Sequence, residues 1–198
     1  MSTFSAGITM VLIPYLLGSI PFAVMISKRY GISILQAGSG NPGATNVLRS
    51  VGKKAGYLVF LLDGLKGTVA AGIPLLLAGP EFRRWEAYGA LMACILGHSF
   101  SIFLRFKGGK GVATTVGGLL VLVPYILAEG GLVWFITFRL TRTVSLASLC
   151  FALSLPLLSW IFYPSVPDTT VLFFIAAFIV GRHHSNIRRL VNRNESSF

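Results

Sequence analysis

The sequence predicts an all-α protein that crosses a membrane several times. Hydrophobic residues make up 54% of its 198 residues, and charged residues only 12%. A soluble domain carries roughly twice that charged fraction, so lipid is the solvent for most of this chain. The hydrophobic residues fall in long apolar segments separated by short basic or glycine-rich loops. Because backbone groups in lipid must be satisfied within each segment, we predict that these segments are helices of a single transmembrane domain, residues 1–198.

Seven apolar segments are predicted as membrane spans. In chain order they cover approximately residues 4–26, 55–77, 87–103, 112–127, 132–140, 144–163 and 169–180. The fourth and fifth are short, and the fifth falls well below the roughly 20 residues that a helical crossing needs. We predict that Glu129, Gly130 and Gly131 turn the chain between these two segments, which then form a tight and partly re-entrant helical pair.

The distribution of lysine and arginine predicts the orientation in the membrane. Most of these residues lie in the tail and in the loops after the first, third and fifth spans. The opposite loops combine two arginines with four acidic residues, namely Arg83, Arg84, Glu81, Glu86, Glu129 and Asp168. The positive-inside rule therefore puts the N-terminus outside and the C-terminus in the cytoplasm. It also brings every glycine-rich or polar motif to the cytoplasmic side, where four segments distant in sequence are predicted to converge.

Charge and cysteine content narrow the class of function. The formal net charge of +11 favours anionic lipid head groups or phosphate-bearing substrates, and the absence of a predicted soluble domain argues against nucleic acid. No basic region precedes the first apolar run, so we predict a retained span and no cleavable signal peptide. Cys94 and Cys150 lie within apolar runs and are predicted to be small buried residues, without a disulfide or a metal site.

The first polar motif occupies residues 38–49. It contains three glycines and four small polar side chains, Ser39, Asn41, Thr45 and Asn46, and it ends at Arg49. Backbone without side chains can approach a ligand and point N–H groups at an anion, and a guanidinium can take phosphate oxygens in a bidentate way. One interpretation is a phosphate-binding floor at the membrane surface. The alternative is a glycine-rich turn that leads into a helix.

The second motif occupies residues 97–115, where Gly108, Gly109 and Gly111 surround Lys110. Before a helix, such a loop can direct backbone donors and an ammonium group at a phosphate. It is not a P-loop, because Lys110 is followed by glycine instead of serine or threonine. His98 lacks an aspartate five residues later, so it does not form an HxxxxD motif, and we predict a buried structural histidine ahead of a catalytic base.

The remaining polar residues form pairs at helical spacing. Asp63 and Lys66 are three residues apart within the second span, so they share a helix face and can pair. That pair either anchors the helix to its neighbours or contacts a substrate directly. Ser145 and Ser148 are also three residues apart, as are His183 and Asn186, so each pair can share a helix face. No carboxylate stands beside the histidines and no group has metal-ligand spacing, so we expect neither a nucleophilic serine enzyme nor a metal hydrolase.

Together these motifs resemble the bacterial acyl-phosphate:glycerol-3-phosphate acyltransferase family. The matching pieces are SGNPGATN at 39–46 with Arg49, DGLKG at 63–67, GH at 97–98, FKGGKGVAT at 106–114, VSLAS at 144–148, and His183 with Asn186 and Ile187. The resemblance covers residues 18 to 195, approximately. It implies an integral enzyme of the bacterial cytoplasmic (inner) membrane, with its active site facing the cytoplasm and no cofactor.

The resemblance also implies the reaction. A fatty acyl group would move from acyl phosphate to the 1-hydroxyl of sn-glycerol 3-phosphate, giving lysophosphatidic acid and phosphate in the first step of phospholipid synthesis. Acyl-CoA and acyl carrier protein would not serve as direct donors. The expected partners are the two phosphate substrates, membrane lipid and a soluble enzyme that makes the acyl phosphate.

Site residues follow from the same resemblance. Those expected to act in catalysis are His183, Asn186, Ser148 and Lys110. Those expected to bind substrate are Ser39, Gly40, Asn41, Thr45, Asn46, Arg49, Gly108, Gly109, Gly111, Ser145 and Glu195. The hydroxyl proton would go either to His183 or to a phosphate oxygen of the substrate. Two departures stand out, because Ser101 replaces a proline common in relatives and the residues before Glu195 differ from the usual Gly-Thr, which leaves the role of Glu195 open.

Two other classes of function compete with this reading. A membrane carrier for organic phosphates would also use clustered cations and a broken span. However, the motifs are predicted on one side only and there is no internal repeat. A structural subunit that binds anionic lipid would not need Ser39, Asn41, Lys110 and Asn186 in glycine-rich or polar motifs.

Overall fold

The computed structural model describes residues 3–77 and 83–198, and every regular element in those two ranges is helical. The chain divides into two compact units, residues 1–122 and 123–198. The all-α prediction is therefore confirmed for the described residues, whereas the single-domain assignment stays a prediction.

The first unit is built from six α-helices and one 3₁₀ turn in its described part. They are α1 (Thr3–Ser19), α2 (Phe22–Arg29), α3 (Ala44–Ser50), α4 (Lys53–Leu77), α5 (Arg83–Ser99), the turn Ile102–Leu104, and α6 (Val112–Leu122). The predicted first span is broken between α1 and α2, directly before Pro21 at the N-cap of α2. Proline has no N–H to continue a helix, yet Pro14 is accommodated inside α1. Residues 78–82, which include Glu81 of the predicted loop, lie outside the described residues.

Glycines set how closely the helices of the first unit pack. A Cβ on Gly18 of α1 would collide with the carbonyl oxygen of Cys94 on α5, and a Cβ on Gly117 of α6 would collide with the carbonyl oxygen of Gly64 on α4. Small residues allow this close approach of backbones, which drives helix association in lipid. In the same unit, the middle of α4 lies beside the end of α5, where Oδ1 of Asp63 is 3.6 Å from Nδ1 of His98.

The second unit contains four helices. They are α7 (Pro124–Thr141), α8 (Val144–Phe162), α9 (Val166–Arg182) and α10 (His184–Val191). The predicted turn at Glu129, Gly130 and Gly131 is wrong, because these residues lie inside the 18-residue α7. Helix α7 begins at Pro124, and proline is favoured in the first positions of a helix. A Cβ on Gly130 would lie 2.9 Å from Cδ2 of Leu155, so this glycine allows α7 to pack against α8 and does not end the helix.

Several helices are long and apolar enough to cross a membrane. Within the described ranges these are Met10–Arg29, Lys53–Leu76, Arg84–Leu104 and Val144–Phe162, and α9 with α10 adds a fifth if this pair, bent by 62°, counts as one span. Helix α6 is apolar but has only 11 residues, as predicted for a short fourth segment, whereas the fifth segment is longer than predicted. The chain is thus a helical membrane protein, and its seven spans and orientation stay predictions.

Candidate active site

The glycine-rich segment 38–49 folds around the side chain of Asn46. Its Oδ1 accepts a hydrogen bond from the Ser39 N–H (3.1 Å), and its Nδ2 donates to the carbonyl oxygens of Ala37 (2.9 Å) and Ile34 (3.3 Å). Gly38 has φ +56°, and a Cβ there would collide with the Asn46 amide. Buried Asn46 therefore holds the loop in place with its own amide, so its predicted contact with substrate would add to a structural role.

The other predicted residues of this segment lie nearer to solvent. Ser39 and Arg49 are exposed, whereas Asn41 and Thr45 are half-buried. The Asn41 N–H donates weakly to Ser39 Oγ at 3.5 Å, and Gly40 adopts φ +68°, a left-handed conformation that favours glycine. The exposed hydroxyl and guanidinium are accessible to a ligand, as a phosphate-binding interpretation requires.

The second glycine loop, residues 108–111, lies on the end of α5 and leads directly into α6. The Gly109 N–H donates to the His98 carbonyl oxygen at 3.1 Å, so this donor serves the packing of the loop. A Cβ on Gly108 would collide with that same carbonyl oxygen, and a Cβ on Gly109 would collide with the His98 ring. Gly111 has φ +83°. These glycines are needed for close packing, and half-buried Lys110 stands between them.

A buried ionic group lies beside this loop. Asp63 and Lys66 are each 2% exposed, and Lys66 Nζ lies 2.7 Å from Asp63 Oδ1. The ammonium also donates to the carbonyl oxygens of Gly18 (3.3 Å) and Ile20, at the end of α1. The predicted pair is confirmed, and it anchors α4 to α1. His98 is buried too, with Nδ1 3.6 Å from Asp63 Oδ1, as expected of a structural histidine.

In the second unit, the carboxylate of Glu195 gathers three donors. Ser145 Oγ and Asn186 Nδ2 both donate to its Oε1, at 2.8 Å and 2.6 Å, and Arg189 Nε donates to its Oε2 at 2.6 Å. Partial burial raises the pKa of Glu195, but the hydrogen bonds from Arg189, Asn186 and Ser145 outweigh it, so the pKa is lowered from the usual 4.5. Glu195 is therefore ionised at neutral pH and fixes two predicted site residues.

Sequence reasoning missed Arg189 as a member of this group. Arg189 follows Asn186 by three residues on α10, and this spacing puts both on one helix face. This spacing could therefore have indicated that Arg189, like Asn186, donates to Glu195. The changed residues before Glu195 do not prevent its contacts with Ser145 and Asn186.

His183 and Ser148 are buried in the second unit with defined partners. His183 lies at the junction of α9 and α10, and its Nδ1 is 2.8 Å from the Ile179 carbonyl oxygen. Since a carbonyl only accepts, Nδ1 is assigned the proton and the neutral ring has its lone pair on Nε2. Ser148 lies one turn along α8 from Ser145, and its Oγ accepts a 3.4 Å hydrogen bond from Trp134 Nε1.

The end of the chain is also tied into the second unit, which no motif predicted. The Phe198 N–H donates to the Arg142 carbonyl oxygen at 2.9 Å, and its ring meets Phe138 edge-to-face with centroids 6.3 Å apart. Together with Glu195, this contact holds the tail at two points.

Residues 8–193 match the family model described as glycerol-3-phosphate acyltransferase. The chain belongs to this family. A glycerol-3-phosphate acyltransferase of Methylobacillus flagellatus is 42% identical over 190 residues, or 95% of each chain. One of Aquifex aeolicus is 42% identical over 192 residues, or 96% of this chain and 97% of the relative.

Solved structures of an acyltransferase share the fold. The structure of PlsY (YgiH), described as an integral membrane glycerol 3-phosphate acyltransferase in its glycerol 3-phosphate form, matches with a TM-score of 0.90 and 39% identity, covering 98% of this chain and 96% of that one. Its lysophosphatidic acid form matches with a TM-score of 0.88. The family resemblance carried by the motifs is therefore confirmed.

Each unit of this acyltransferase family member thus contains its own group of predicted site residues. The first unit positions the segment 38–49 and the loop 108–111, and the second positions Ser145, Ser148, His183, Asn186 and Glu195. The roles of the individual residues and the convergence of the four segments stay predictions. Among the described residues, no group of three histidine, cysteine, aspartate or glutamate side chains could hold a metal ion.

Proposed function

We propose that this chain transfers a fatty acyl group from acyl phosphate to the 1-hydroxyl of sn-glycerol 3-phosphate. The products would be lysophosphatidic acid and inorganic phosphate, in the first step of phospholipid synthesis. The observation that carries this proposal is the match over 98% of the chain, at TM-score 0.90, to an acyltransferase whose structure is described in its glycerol 3-phosphate form. The same protein is also described in a lysophosphatidic acid form.

The chemistry asks little of the protein beyond positioning. An acyl phosphate is a mixed anhydride with a good leaving group, so the hydroxyl can attack it directly, without an acyl-enzyme and without a cofactor. Holding the two reactants in line can contribute about 7–11 kcal/mol of barrier lowering. Donors and cations aimed at the carbonyl oxygen and the departing phosphate would contribute further.

In the first unit, we assign phosphate binding to Ser39, Arg49 and Lys110. The two cations suit this role in different ways, because a guanidinium binds phosphate through a planar fork and an ammonium acts as a point charge. The exposed position of Arg49 supports the assignment. Further contacts are assigned to Gly40, Asn41, Thr45, Gly108 and Gly111, whereas Asn46 and Gly109, whose donors serve their own loops, are assigned to shape the site.

In the second unit, we assign the orientation of the glycerol hydroxyl to Ser148, His183 and Asn186, with Ser145 beside them. The Nε2 lone pair of His183 suits a base that takes the hydroxyl proton. The alternative is a phosphate oxygen of the substrate itself. Ionised Glu195 would repel an anionic ligand, so we assign it to hold Ser145 and Asn186 in place.

The membrane arrangement is part of the same proposal. We propose seven spans, an outside N-terminus, and an active site at the cytoplasmic face of the bacterial inner membrane. The basic residues after α2 and in the tail support this orientation. The acyl phosphate would then come from lipid or from a soluble enzyme on the cytoplasmic side. Labelling of single cysteines from either side of sealed vesicles would check it, and a tail labelled from outside would contradict it.

The donor test decides the activity. Purified protein in detergent or lipid is given labelled glycerol 3-phosphate with palmitoyl phosphate, and separately with palmitoyl-CoA, without added metal. We expect lysophosphatidic acid from palmitoyl phosphate only, and its loss on Lys110→Ala. No product from either donor would refute the proposal. Uptake of labelled glycerol 3-phosphate into sealed vesicles would then support a carrier.

A further inference from the structure

The buried group of Asp63, Lys66 and His98 directly supports the second glycine loop. None of these three side chains was assigned a part in the proposed reaction. Lys66 fixes one end of the group, because its ammonium donates to carbonyl oxygens of Gly18 and Ile20. These carbonyls lie at the end of α1, where no further turn of that helix can satisfy them. The ammonium also lies 4.7 Å from the centre of the Phe22 ring.

Asp63 occupies the centre of this group. Its Oδ1 accepts from Lys66 at 2.7 Å and lies 3.6 Å from Nδ1 of His98. Since the carboxylate is 2% exposed, water does not screen its attraction for either neighbour. The carboxylate that Lys66 holds in place is therefore the charged group that faces Nδ1 of the His98 ring.

His98 contacts the glycine loop in two ways. Its carbonyl oxygen accepts the Gly109 N–H at 3.1 Å. Its ring lies against Gly109 so closely that a Cβ there would meet three ring atoms, Nε2, Cε1 and Cδ2, before anything else. The main-chain contact ties the loop to the end of α5, and the ring packs against Gly109 on the side to which a Cβ would point.

We propose that Asp63, acting through the His98 ring, is a positioning residue for the glycine loop 108–111. The inference rests on the proposed function, in which this loop and Lys110 bind phosphate, and it takes that phosphate to be the one of glycerol 3-phosphate. A ring released by loss of Asp63 would let the loop move, and a phosphate site loses affinity when its donors are misplaced. The expected signature is a higher KM for glycerol 3-phosphate with a smaller change in kcat.

A suppressor pair tests the ring contact. Gly109→Ala puts its methyl group into the His98 ring, so we expect the KM for glycerol 3-phosphate to rise about tenfold. In Gly109→Ala combined with His98→Ala, the colliding ring is absent. The double variant should therefore recover to the KM of His98→Ala alone, and the two changes should be clearly non-additive.

Gly108→Ala provides the matched control. Its methyl group would collide with main-chain atoms of His98 and Ser99, which His98→Ala leaves in place. His98→Ala should therefore not rescue Gly108→Ala. Rescue of both glycine variants, rescue of neither, or a Gly109→Ala variant with wild-type KM would each overturn the proposal.

A double-mutant cycle tests the step from Asp63 to His98. Asp63→Asn should raise the KM in the wild-type background but have little further effect in the His98→Ala background, because the ring through which Asp63 acts is absent there. Equal effects in the two backgrounds would contradict the proposal. Asp63→Asn leaves Lys66 buried without its counter-ion, which is costly. If it does not fold, Asp63→Glu replaces it in the same cycle, because the glutamate keeps a counter-ion for Lys66 and displaces the carboxylate from its place beside the His98 ring.

Binding is measured separately from turnover. Glycerol 3-phosphate should raise the melting temperature of the wild type, because it binds the folded state, and this rise should shrink in Gly109→Ala and return in the double variant. A wild-type protein that glycerol 3-phosphate stabilises but that forms no lysophosphatidic acid would refute the proposed function. The binding data would then decide the inference about the loop by themselves. Normal turnover with unchanged binding in Gly109→Ala would refute the inference alone.

Discussion

Replacing Glu195 with alanine removes an acceptor that three side chains of the second unit share. Ser145 and Asn186 are 7% and 5% exposed, so each loses this hydrogen bond where water has little access, at a cost of about 1–3 kcal/mol. Arg189 is 38% exposed and can be hydrated instead, so its ion pair adds at most about 1 kcal/mol.

The expected total for Glu195→Ala is about 3 kcal/mol of unfolding free energy, because the costs of groups that share one partner do not add fully. For a chain of this length, such a loss lowers the melting temperature by roughly 6–12 °C. Thermal unfolding of the purified protein in detergent measures it. Activity should fall as well, since Ser145 and Asn186 lose the group that orients them.

Glu195→Gln is the control for charge. The glutamine keeps a carbonyl oxygen that Ser145 and Asn186 can share, and it loses the charge that pairs with Arg189. We expect this variant to cost about 1 kcal/mol, mainly because the amide nitrogen that replaces Oε2 cannot accept the hydrogen bond from partly exposed Arg189. The reasoning is refuted if Glu195→Ala melts at the wild-type temperature, or if both variants are destabilised equally.

Three further predictions follow from single contacts. Because the pKa of Glu195 is lowered in the folded state, ionised Glu195 should stabilise the protein fully above about pH 4.5. This stabilisation should be lost as the pH falls through the lowered pKa. Melting curves of Glu195→Gln should not show this loss. Gly117→Ala should destabilise the first unit by about 1–3 kcal/mol through collision with α4, whereas Gly131→Ala, with open space around it, should be neutral by the same melting assay. If His183 is the base, His183→Ala should lower kcat by about a hundredfold or more, with partial recovery at higher pH; unchanged kcat with a raised KM would assign the proton to the substrate phosphate.

Contacts made within one turn of helix could be predicted from the sequence. Asp63 and Lys66 are three residues apart, and helix geometry alone brings them to one face. Ser145 and Ser148 were placed together on α8 for the same reason. The glycine-rich motifs were also recognised correctly as family features, because their residue order is unusual and extends over nearly the whole chain.

Features that depend on packing between helices could not be predicted in this way. The sequence predicts a turn at Gly130, but in the folded protein Leu155 and Phe151 of α8 fill the space that its missing side chain leaves. Glu195 meets Ser145 from 50 residues away, and no local pattern encodes that pairing. The contact of His98 with Gly109 likewise depends on how the loop returns to the end of α5.

The most direct test of the central claim is the stoichiometry of the reaction. Inorganic phosphate and lysophosphatidic acid are measured together, with palmitoyl phosphate as donor and with and without glycerol 3-phosphate. Acyl transfer predicts one phosphate released for each lysophosphatidic acid formed, and little release when glycerol 3-phosphate is omitted. Phosphate release without lysophosphatidic acid, at the same rate whether or not glycerol 3-phosphate is present, would show hydrolysis instead and contradict the account.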